Sequence, residues 1–235
     1  MLLLLLPLLL LVLLRTCVVV PVLLVMRILF VGTVVALVTV GLLLPTTTSL
    51  LIFLVKPSPW ITTGSVTLLA TIAQGNTVNQ REGKSAQLTS VRIRGNQRAG
   101  STTTIADGAQ YLVWDRQPNK ALAAVADVLT SATSNAFPNR ENAQRFVILK
   151  NFRCSFAGNT ATPAAGTEII DIDEYVKLPR ECVTSYTTAD TTGVIGDIIS
   201  GALLWVSVGD IGAGTASATS TLSFRVNFRD QVYTA

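Results

Sequence analysis

The stretch STLSFRVNFRD, residues 220–230, has the period-2 alternation of a β-strand. Its apolar and polar side chains fall on opposite faces: Leu222, Phe224, Val226 and Phe228 on one, Arg225, Asn227 and Arg229 on the other. Because one face of such a strand packs on a core while the other meets water, the alternation predicts a half-buried strand of an antiparallel sheet.

Similar short segments recur upstream, separated by residues that favour turns. Strands are predicted at residues 66–73, 85–95, 109–114, 167–178 and 201–210, with one or two more within residues 145–156, and a short helix is predicted at residues 121–129. With the last strand this gives about eight strands, at the spacing of an all-β sandwich or jelly roll. We therefore predict a single eight-stranded jelly roll with a short helix in one loop.

The first 55 residues have a different texture, with Arg15 and Arg27 as their only charged side chains. They show no period of 2 or 3.6, and a segment that is apolar all round is buried in lipid or in protein. Since about 20 apolar residues span a bilayer, residues 17–44 are long enough for one transmembrane helix. A secretory signal fits less well, because no basic region precedes the leucines. An anchor, an arm and a non-native extension all stay open.

The boundary between the two parts is placed at KPSPW, residues 56–60, where two prolines interrupt the chain. Residues 1–59 are therefore predicted to be an apolar N-terminal segment, and residues 60–235 the jelly-roll domain. Three of the 18 Lys and Arg residues precede Trp60, which leaves 15 in the domain against all 14 acidic residues. The domain is nearly neutral overall, so any basic surface on it must be local.

Several kinds of chemistry are excluded or disfavoured by the composition. The chain contains no histidine, which rules out Ser-His-Asp and Cys-His catalysis. Its cysteines, Cys17, Cys154 and Cys182, form no CxxC pair, so they indicate neither a zinc site nor a disulfide framework. We predict no enzyme activity, no cofactor and no metal site.

One acidic stretch, Asp171, Asp173 and Glu174, has the residue types of a calcium site, because hard cations take several carboxylate oxygens. Exposed positions on an alternating strand explain the same pattern without a metal, and that interpretation is favoured.

Three stretches carry a more specific signal: IAQGNTVNQREGKSAQLTSVRIRG (72–95), YLVWDRQPNKALAAVADVL (111–129) and PNRENAQRFVILKN (138–151). In order and spacing they resemble the capsid proteins of small circular Rep-encoding single-stranded DNA viruses, the circovirus-like and geminivirus-like group. The matching positions are Asn79, Gln80, Arg81, Gly83 and Lys84 in a loop, Arg92 and Arg94 in the next strand, Asp115 to Asn119 in a turn, and Arg145 with Phe146.

The resemblance implies a virion protein that assembles into an icosahedral T=1 shell of sixty copies around a single-stranded DNA genome, with a nuclear stage in the host cell. Such proteins begin with a basic arm for nuclear import and DNA packaging, but here the first 55 residues are mostly leucine and valine. A nucleic-acid-binding face must then come from the domain itself. The candidates are Arg81, Lys84, Arg92, Arg94 and Arg98.

A solvated strand face, or ion pairs with acids such as Asp171 and Asp173, is the alternative explanation for these basic residues. For the whole chain we predict a structural coat subunit that forms homo-oligomers and packages DNA. The alternative is a membrane-anchored β-sandwich binding module with residues 1–55 as the anchor. The sequence does not identify a host receptor, and a membrane contact is open only through residues 1–55.

Overall fold

The computed structural model describes residues 49–59, 63–77, 79–99, 105–157, 168–187, 191–210 and 218–230. The chain divides into the units Met1–Thr47 and Thr48–Ala235, and all of the described residues belong to the second unit. The candidate transmembrane helix at residues 17–44, and most of the apolar segment 1–59, lie outside the described residues. Among the described residues, no helix is long and apolar enough to cross a bilayer.

The described residues form ten strands and almost no helix. The strands are β1 Ser49–Pro59, β2 Ser65–Leu68, β3 Ser85–Ala99, β4 Ile105–Asp115, β5 Phe146–Ala157, β6 Ile169–Lys177, β7 Val183–Tyr186, β8 Ile198–Ser200, β9 Ala202–Gly209 and β10 Ala218–Asp230. The predicted helix at 121–129 is reduced to one turn, α1, at Val125–Val128. It ends there because Leu129 is extended and forms a β-bridge with Pro138.

Two antiparallel sheets make up the sandwich. The first has the order β1-β10-β3-β7-β8, with β6 also paired to β3, and the second has the order β2-β9-β4-β5. Strands β6 and β7 pair with successive stretches of the same strand, β3, and β8 extends the sheet beyond β7. The orders β1-β10-β3-β7 and β2-β9-β4-β5 are those of an eight-stranded jelly roll, which confirms the predicted fold class.

Strand β1 lies inside the stretch that the sequence assigned to the apolar segment. It pairs with β10 over eleven positions, from Ser49 opposite Arg229 to Pro59 opposite Thr219. The segment SLLIFLVKPSP has no polar-apolar alternation, so it carried no strand signal. Its prolines are compatible with a strand at the edge of a sheet, where β1 lies.

The core lies between the two sheets and centres on Trp205 of β9. The Trp205 ring packs edge-on against Phe224 of the first sheet, with ring centroids 4.9 Å apart, and lies 5.5 Å from Phe152 of β5. In the first sheet, β10 buries every second residue and leaves the alternate ones at the surface, as its sequence predicts. The inner side of β10 is therefore mostly apolar, with Ser220 as a buried polar residue, and its outer side is polar.

The second sheet differs, because all eight residues of β9 are buried. The chain between β4 and β5 contributes Ala123, Val128 and Leu129 to the hydrophobic core. Gly64 has a φ of 66°, and a side chain there would collide with Val125 of α1 and Val208 of β9, so the two valines lie close to each other. The outer face of the second sheet is thus covered, while the outer face of the first is not.

Candidate nucleic-acid interface

The outer face of the first sheet is formed where β6, β3 and β10 lie side by side. Residues opposite each other in antiparallel strands project to the same face, so the pairing defines rows across the sheet. These rows are Arg225–Arg92–Tyr175, Ser223–Arg94–Asp173, Thr221–Asn96–Asp171 and Thr219–Arg98–Ile169. The structure thereby places three of the sequence candidates, Arg92, Arg94 and Arg98, on one surface.

This surface, which we call the basic face, has an excess of positive charge. Among the described outward residues of β3, β6 and β10, six are basic and two are acidic: Arg92, Arg94, Arg98, Lys177, Arg225 and Arg229 against Asp171 and Asp173. The net charge of the basic face is therefore +4, although the domain as a whole is nearly neutral. A local excess of this kind concentrates anions near the surface.

Asp173 lies between two of the arginines and contacts both. Arg92 donates from Nε and Nη2 to the two carboxylate oxygens at 3.1 Å each, and Arg94 Nε lies 3.2 Å from Oδ2. The hydrogen bonds from Arg92 lower the pKa of Asp173, and the same contact raises the pKa of Arg92. Both arginines stay accessible, with side chains 45% and 65% exposed. A carboxylate already held by two guanidinium groups shows that this position can hold an oxyanion.

An open groove of about 650 Å³ runs over these side chains. It is lined by Arg92, Arg94, Asn96 and Asp173, and on the β10 side by Ser223 and Arg225. The apolar residues Ile172 and Phe224 also line the groove. Its three arginines and its hydrogen-bonding side chains are groups that can contact a phosphate backbone.

The structure places Arg81, the first of the candidates from the sequence, away from the basic face. Its side chain is buried, with 1% exposed, and donates from Nε to Ile72 O at 3.3 Å and from Nη1 to Gly83 O at 2.6 Å. The guanidinium also lies 3.9 Å from the centre of the Tyr186 ring. Burial lowers the pKa of Arg81. The residue therefore holds the loop between β2 and β3 in place.

Lys84 is exposed, but it lies at the far end of β3. It precedes the first residue of the strand and lies eight positions before Arg92. At about 3.4 Å per strand residue, the separation is roughly 27 Å. The structure therefore keeps Arg92, Arg94 and Arg98 together and leaves Lys84 apart from them.

Three further basic residues lie on the basic face, and none of them was among the candidates predicted from the sequence. Arg225 lies opposite Arg92, Arg229 lies on the same face of β10, and Lys177 ends β6. The alternation of residues 220–230 places Arg225 and Arg229 outward. What the sequence does not contain is the adjacency of β10 and β3, which are more than 100 residues apart in the chain.

One ion pair joins the other two stretches that carry the resemblance, residues 111–129 and 138–151. Asp115 ends β4 and is fully buried, and Arg145 donates to both of its carboxylate oxygens at 2.9 Å. Asp115 Oδ1 also accepts the backbone N–H of Gln117 at 2.9 Å, which closes the turn. The hydrogen bonds to Asp115 raise the pKa of Arg145.

The acidic stretch of β6 is split between the two faces of its strand. Asp171 and Asp173 belong to the basic face. Glu174 lies on the other face, and its Oε2 is 3.7 Å from Nζ of Lys150 in the second sheet. Among the described residues, no group of three or more His, Cys, Asp or Glu side chains is arranged to hold a metal ion.

Two of the three cysteines lie in the described residues, and both are free thiols. Burial raises the pKa of Cys182 to about 11 and also raises the pKa of Cys154. Both thiols therefore stay protonated near neutral pH, as expected of structural cysteines.

Comparison with known proteins gives one match at the level of sequence families. The model of the family described as Geminivirus coat protein/nuclear export factor BR1 matches residues 57–234, which include strands β2 to β10 in full. No curated protein matches the chain.

Solved structures of viral shells show low similarity in sequence. That of Desmodium yellow mottle tymovirus is 11% identical with a TM-score of 0.29, over 87% of this chain and 99% of that chain. That of tobacco necrosis virus is 13% identical with a TM-score of 0.32, over 93% and 96%. A 60-mer BFDV capsid protein is 7% identical with a TM-score of 0.30, over 80% and 95%.

Proposed function

The chain belongs to the Geminivirus coat protein/nuclear export factor BR1 family and is a structural protein of a viral capsid, and from this premise we propose that sixty copies of it assemble into a closed T=1 icosahedral shell around a single-stranded DNA genome. The number of copies and the DNA cargo follow from the resemblance in sequence. The chemistry of such a protein is the burial of surface between subunits.

One observation on the first sheet supports assembly. Among the described residues, β8 is the last strand of the sheet, and no further strand pairs with its outer edge. Ile199 on this strand is 56% exposed, and Val194, shortly before it, is 50% exposed. A free strand edge with exposed apolar side chains is a surface that soluble proteins usually protect. In a shell with closed symmetry, a neighbouring subunit covers such an edge.

Assembly is tested by negative-stain electron microscopy and sucrose-gradient sedimentation of the full chain. The proposal expects uniform closed particles, and Ile199→Lys is expected to shift the protein to small species because it places a charge at a buried contact. A full chain that stays small and follows the membrane fraction would instead support the membrane-anchored module. Circular dichroism of the variant checks that its β structure is retained.

The basic face carries the second part of the proposal. Its net charge of +4 and its three arginines on β3 support a role in neutralising phosphates of the packaged strand. The cargo is tested by extracting nucleic acid from purified particles and digesting it with deoxyribonuclease, ribonuclease or a nuclease specific for single strands. We expect deoxyribonuclease and the single-strand nuclease to digest the extracted nucleic acid. Digestion by ribonuclease would contradict a DNA cargo.

The extent of the folded domain is also part of the proposal. Because β1 pairs with β10 over its whole length, we infer that the domain includes residues 49–59 and does not begin at Trp60. A chain shortened to start at Ser49 is expected to assemble, and one shortened to start at Trp60 is expected to aggregate because it exposes the edge of β10. Equal assembly of both would place the boundary at Trp60.

A nuclear stage in the host cell is inferred from family membership alone. The first 55 residues contain two arginines and no lysine, so they supply no basic arm for import. A fluorescent fusion of the full chain should nevertheless accumulate in nuclei of host cells, and a purely cytoplasmic signal would count against this part.

A further inference from the structure

Tyr175 is an aromatic residue on the basic face that neither assembly nor phosphate binding explains. It is 64% exposed on β6, and its neighbours at alternate positions of the same strand face are Asp173 and Lys177. A single exposed apolar side chain is ordinary on a protein surface. The position of Tyr175 relative to the arginines is what distinguishes it.

Tyr175 lies directly opposite Arg92, which in turn lies opposite Arg225. Side chains in direct register on antiparallel strands have Cβ atoms about 4.5–5.5 Å apart. The aromatic ring therefore stands next to Arg92 and two strands away from Arg225, beside the groove lined by Arg92, Arg94 and Arg225.

The Tyr175 ring differs in its surroundings from three other aromatic rings of the domain. Three other aromatic rings have a cation over them: Arg81 over Tyr186, Arg145 over Phe146 and Lys150 over Phe152. No such contact with Tyr175 occurs among the described residues. The guanidinium of Arg92, its closest basic neighbour in register, is turned toward Asp173.

Arg92 nevertheless keeps donors for an additional oxyanion. Its contact with Asp173 uses Nε and Nη2, and a guanidinium has five N–H donors in all. The two N–H groups on Nη1 are not used in that contact. The row thus combines an accessible aromatic ring with guanidinium donors, which is the combination that binds single-stranded nucleic acid.

We propose that Tyr175 is a stacking platform for an unpaired base, with the adjoining phosphates held by Arg92, Arg94 and Arg225. The proposal rests on the proposed nucleic-acid role of the basic face and makes it selective for single strands. In a duplex the bases are paired and stacked on one another, so their faces are not available to the tyrosine ring. Phosphate contacts alone would not discriminate between the two forms.

The test compares two fluorescently labelled probes of equal length, an oligo(dT) strand and the same sugar-phosphate strand without bases. Stacking on one aromatic side chain corresponds to about a tenfold change in affinity. The full chain is therefore expected to bind oligo(dT) about tenfold more tightly than the abasic strand. Tyr175→Ala is expected to remove this difference and leave the affinity for the abasic strand unchanged.

Two control variants separate stacking from other effects. Tyr175→Phe keeps the ring and should keep the preference for oligo(dT). Phe137→Ala removes a more exposed aromatic side chain from the loop before β5, away from the basic face, and should also keep it. Because Tyr175 and Phe137 are both exposed, circular dichroism should show that all variants fold.

The outcomes distinguish this inference from the proposed function beneath it. Equal binding of both probes by the full chain, or a preference that persists in Tyr175→Ala, would overturn the stacking platform and leave phosphate binding in place. Failure of the full chain to bind either probe would overturn the nucleic-acid role of the basic face, and the stacking platform with it.

Discussion

Two arginine–aspartate pairs in this protein have nearly the same geometry and different surroundings. Arg145 donates from Nε and Nη2 to Asp115 at 2.9 Å each, and Arg92 donates from the same atoms to Asp173 at 3.1 Å each. The side chains of the first pair are 25% and 1% exposed, and those of the second are 45% and 47% exposed. One pair joins β4 to the start of β5, and the other lies on the basic face.

Burial, and not hydrogen-bond geometry, decides what each pair does. Removing one partner of a buried pair leaves a charge without compensation in a poorly solvated site. In an exposed pair, hydrogen bonds to water can replace the contact at little cost in free energy, and salt screens the attraction between the charges. The Asp115–Arg145 pair therefore holds the fold, while the Arg92–Asp173 pair leaves its guanidinium accessible to an external phosphate.

The largest effect is expected from Arg145→Met. It leaves Asp115 buried without its partner, so the free energy of unfolding should fall by about 3–5 kcal/mol, as measured by urea unfolding with tryptophan fluorescence. Arg92→Met is the matched control on the exposed pair and should leave the free energy of unfolding nearly unchanged. Similar losses in the two variants would break the comparison.

Arg81→Met should have the next largest effect. The change leaves the buried carbonyl group of Ile72 and the partly buried carbonyl group of Gly83 without this donor. A buried unsatisfied group costs about 1–3 kcal/mol of stability, and a partly buried one costs less. The folded variant should bind oligonucleotides with an unchanged dependence on salt, because Arg81 is not on the basic face. A weaker salt dependence at unchanged stability would restore Arg81 to the binding site.

These arginines also show where sequence reasoning reaches and where it ends. Alternation in residues 85–95 and 220–230 correctly places Arg92, Arg94 and Arg225 on the outer faces of strands. The sequence favours the surface for Arg81 because arginine usually lies there, but its burial depends on Tyr186, which follows 105 residues later. No local pattern contains such a contact.

The jelly roll itself was predictable from the number and spacing of the strands, but two features were not. Strand β1 has an unbroken apolar run from Leu50 to Val55, so its sequence does not distinguish a strand from the end of a hydrophobic segment. Strand β9 is buried on both faces, because the loop that contains α1 covers the outer side of the second sheet. Both depend on what other parts of the chain place beside them.

A smaller effect is expected from Asp173→Asn, which tests the exposed pair by removing the charge of its acidic partner. Removing a negative charge near Arg92 and Arg94 should raise the affinity for oligo(dT) by about fivefold, the size expected when one charge about 4 Å away is removed in water. Fluorescence anisotropy measures this. Glu141→Gln removes an exposed acid elsewhere and should leave the affinity unchanged, so an equal gain in both variants would indicate only a change in total charge.

The smallest effect concerns pH. The pKa of Asp173 is lowered from its ordinary value of 3.8 by the hydrogen bonds from Arg92. Its contribution to stability is therefore complete above pH 3.8 and is lost as the pH falls through the lowered pKa. Stability–pH curves of the protein and of Asp173→Asn should run parallel above pH 3.8 and converge below it. Curves that stay parallel over the whole pH range would show that the pair is not formed in solution.

The most direct test of the account is the salt dependence of oligo(dT) binding by the full chain and by the double variant Arg92→Gln/Arg94→Gln. If both arginines contact phosphates, the slope of log affinity against log salt concentration should become shallower by about 1.4, at about 0.7 per phosphate contact. Arg140→Gln/Arg153→Gln, which removes the same charge from exposed positions outside the basic face, should leave the slope unchanged. Equal slopes for all three proteins, or equal changes in both variants, would contradict a nucleic-acid interface on the basic face.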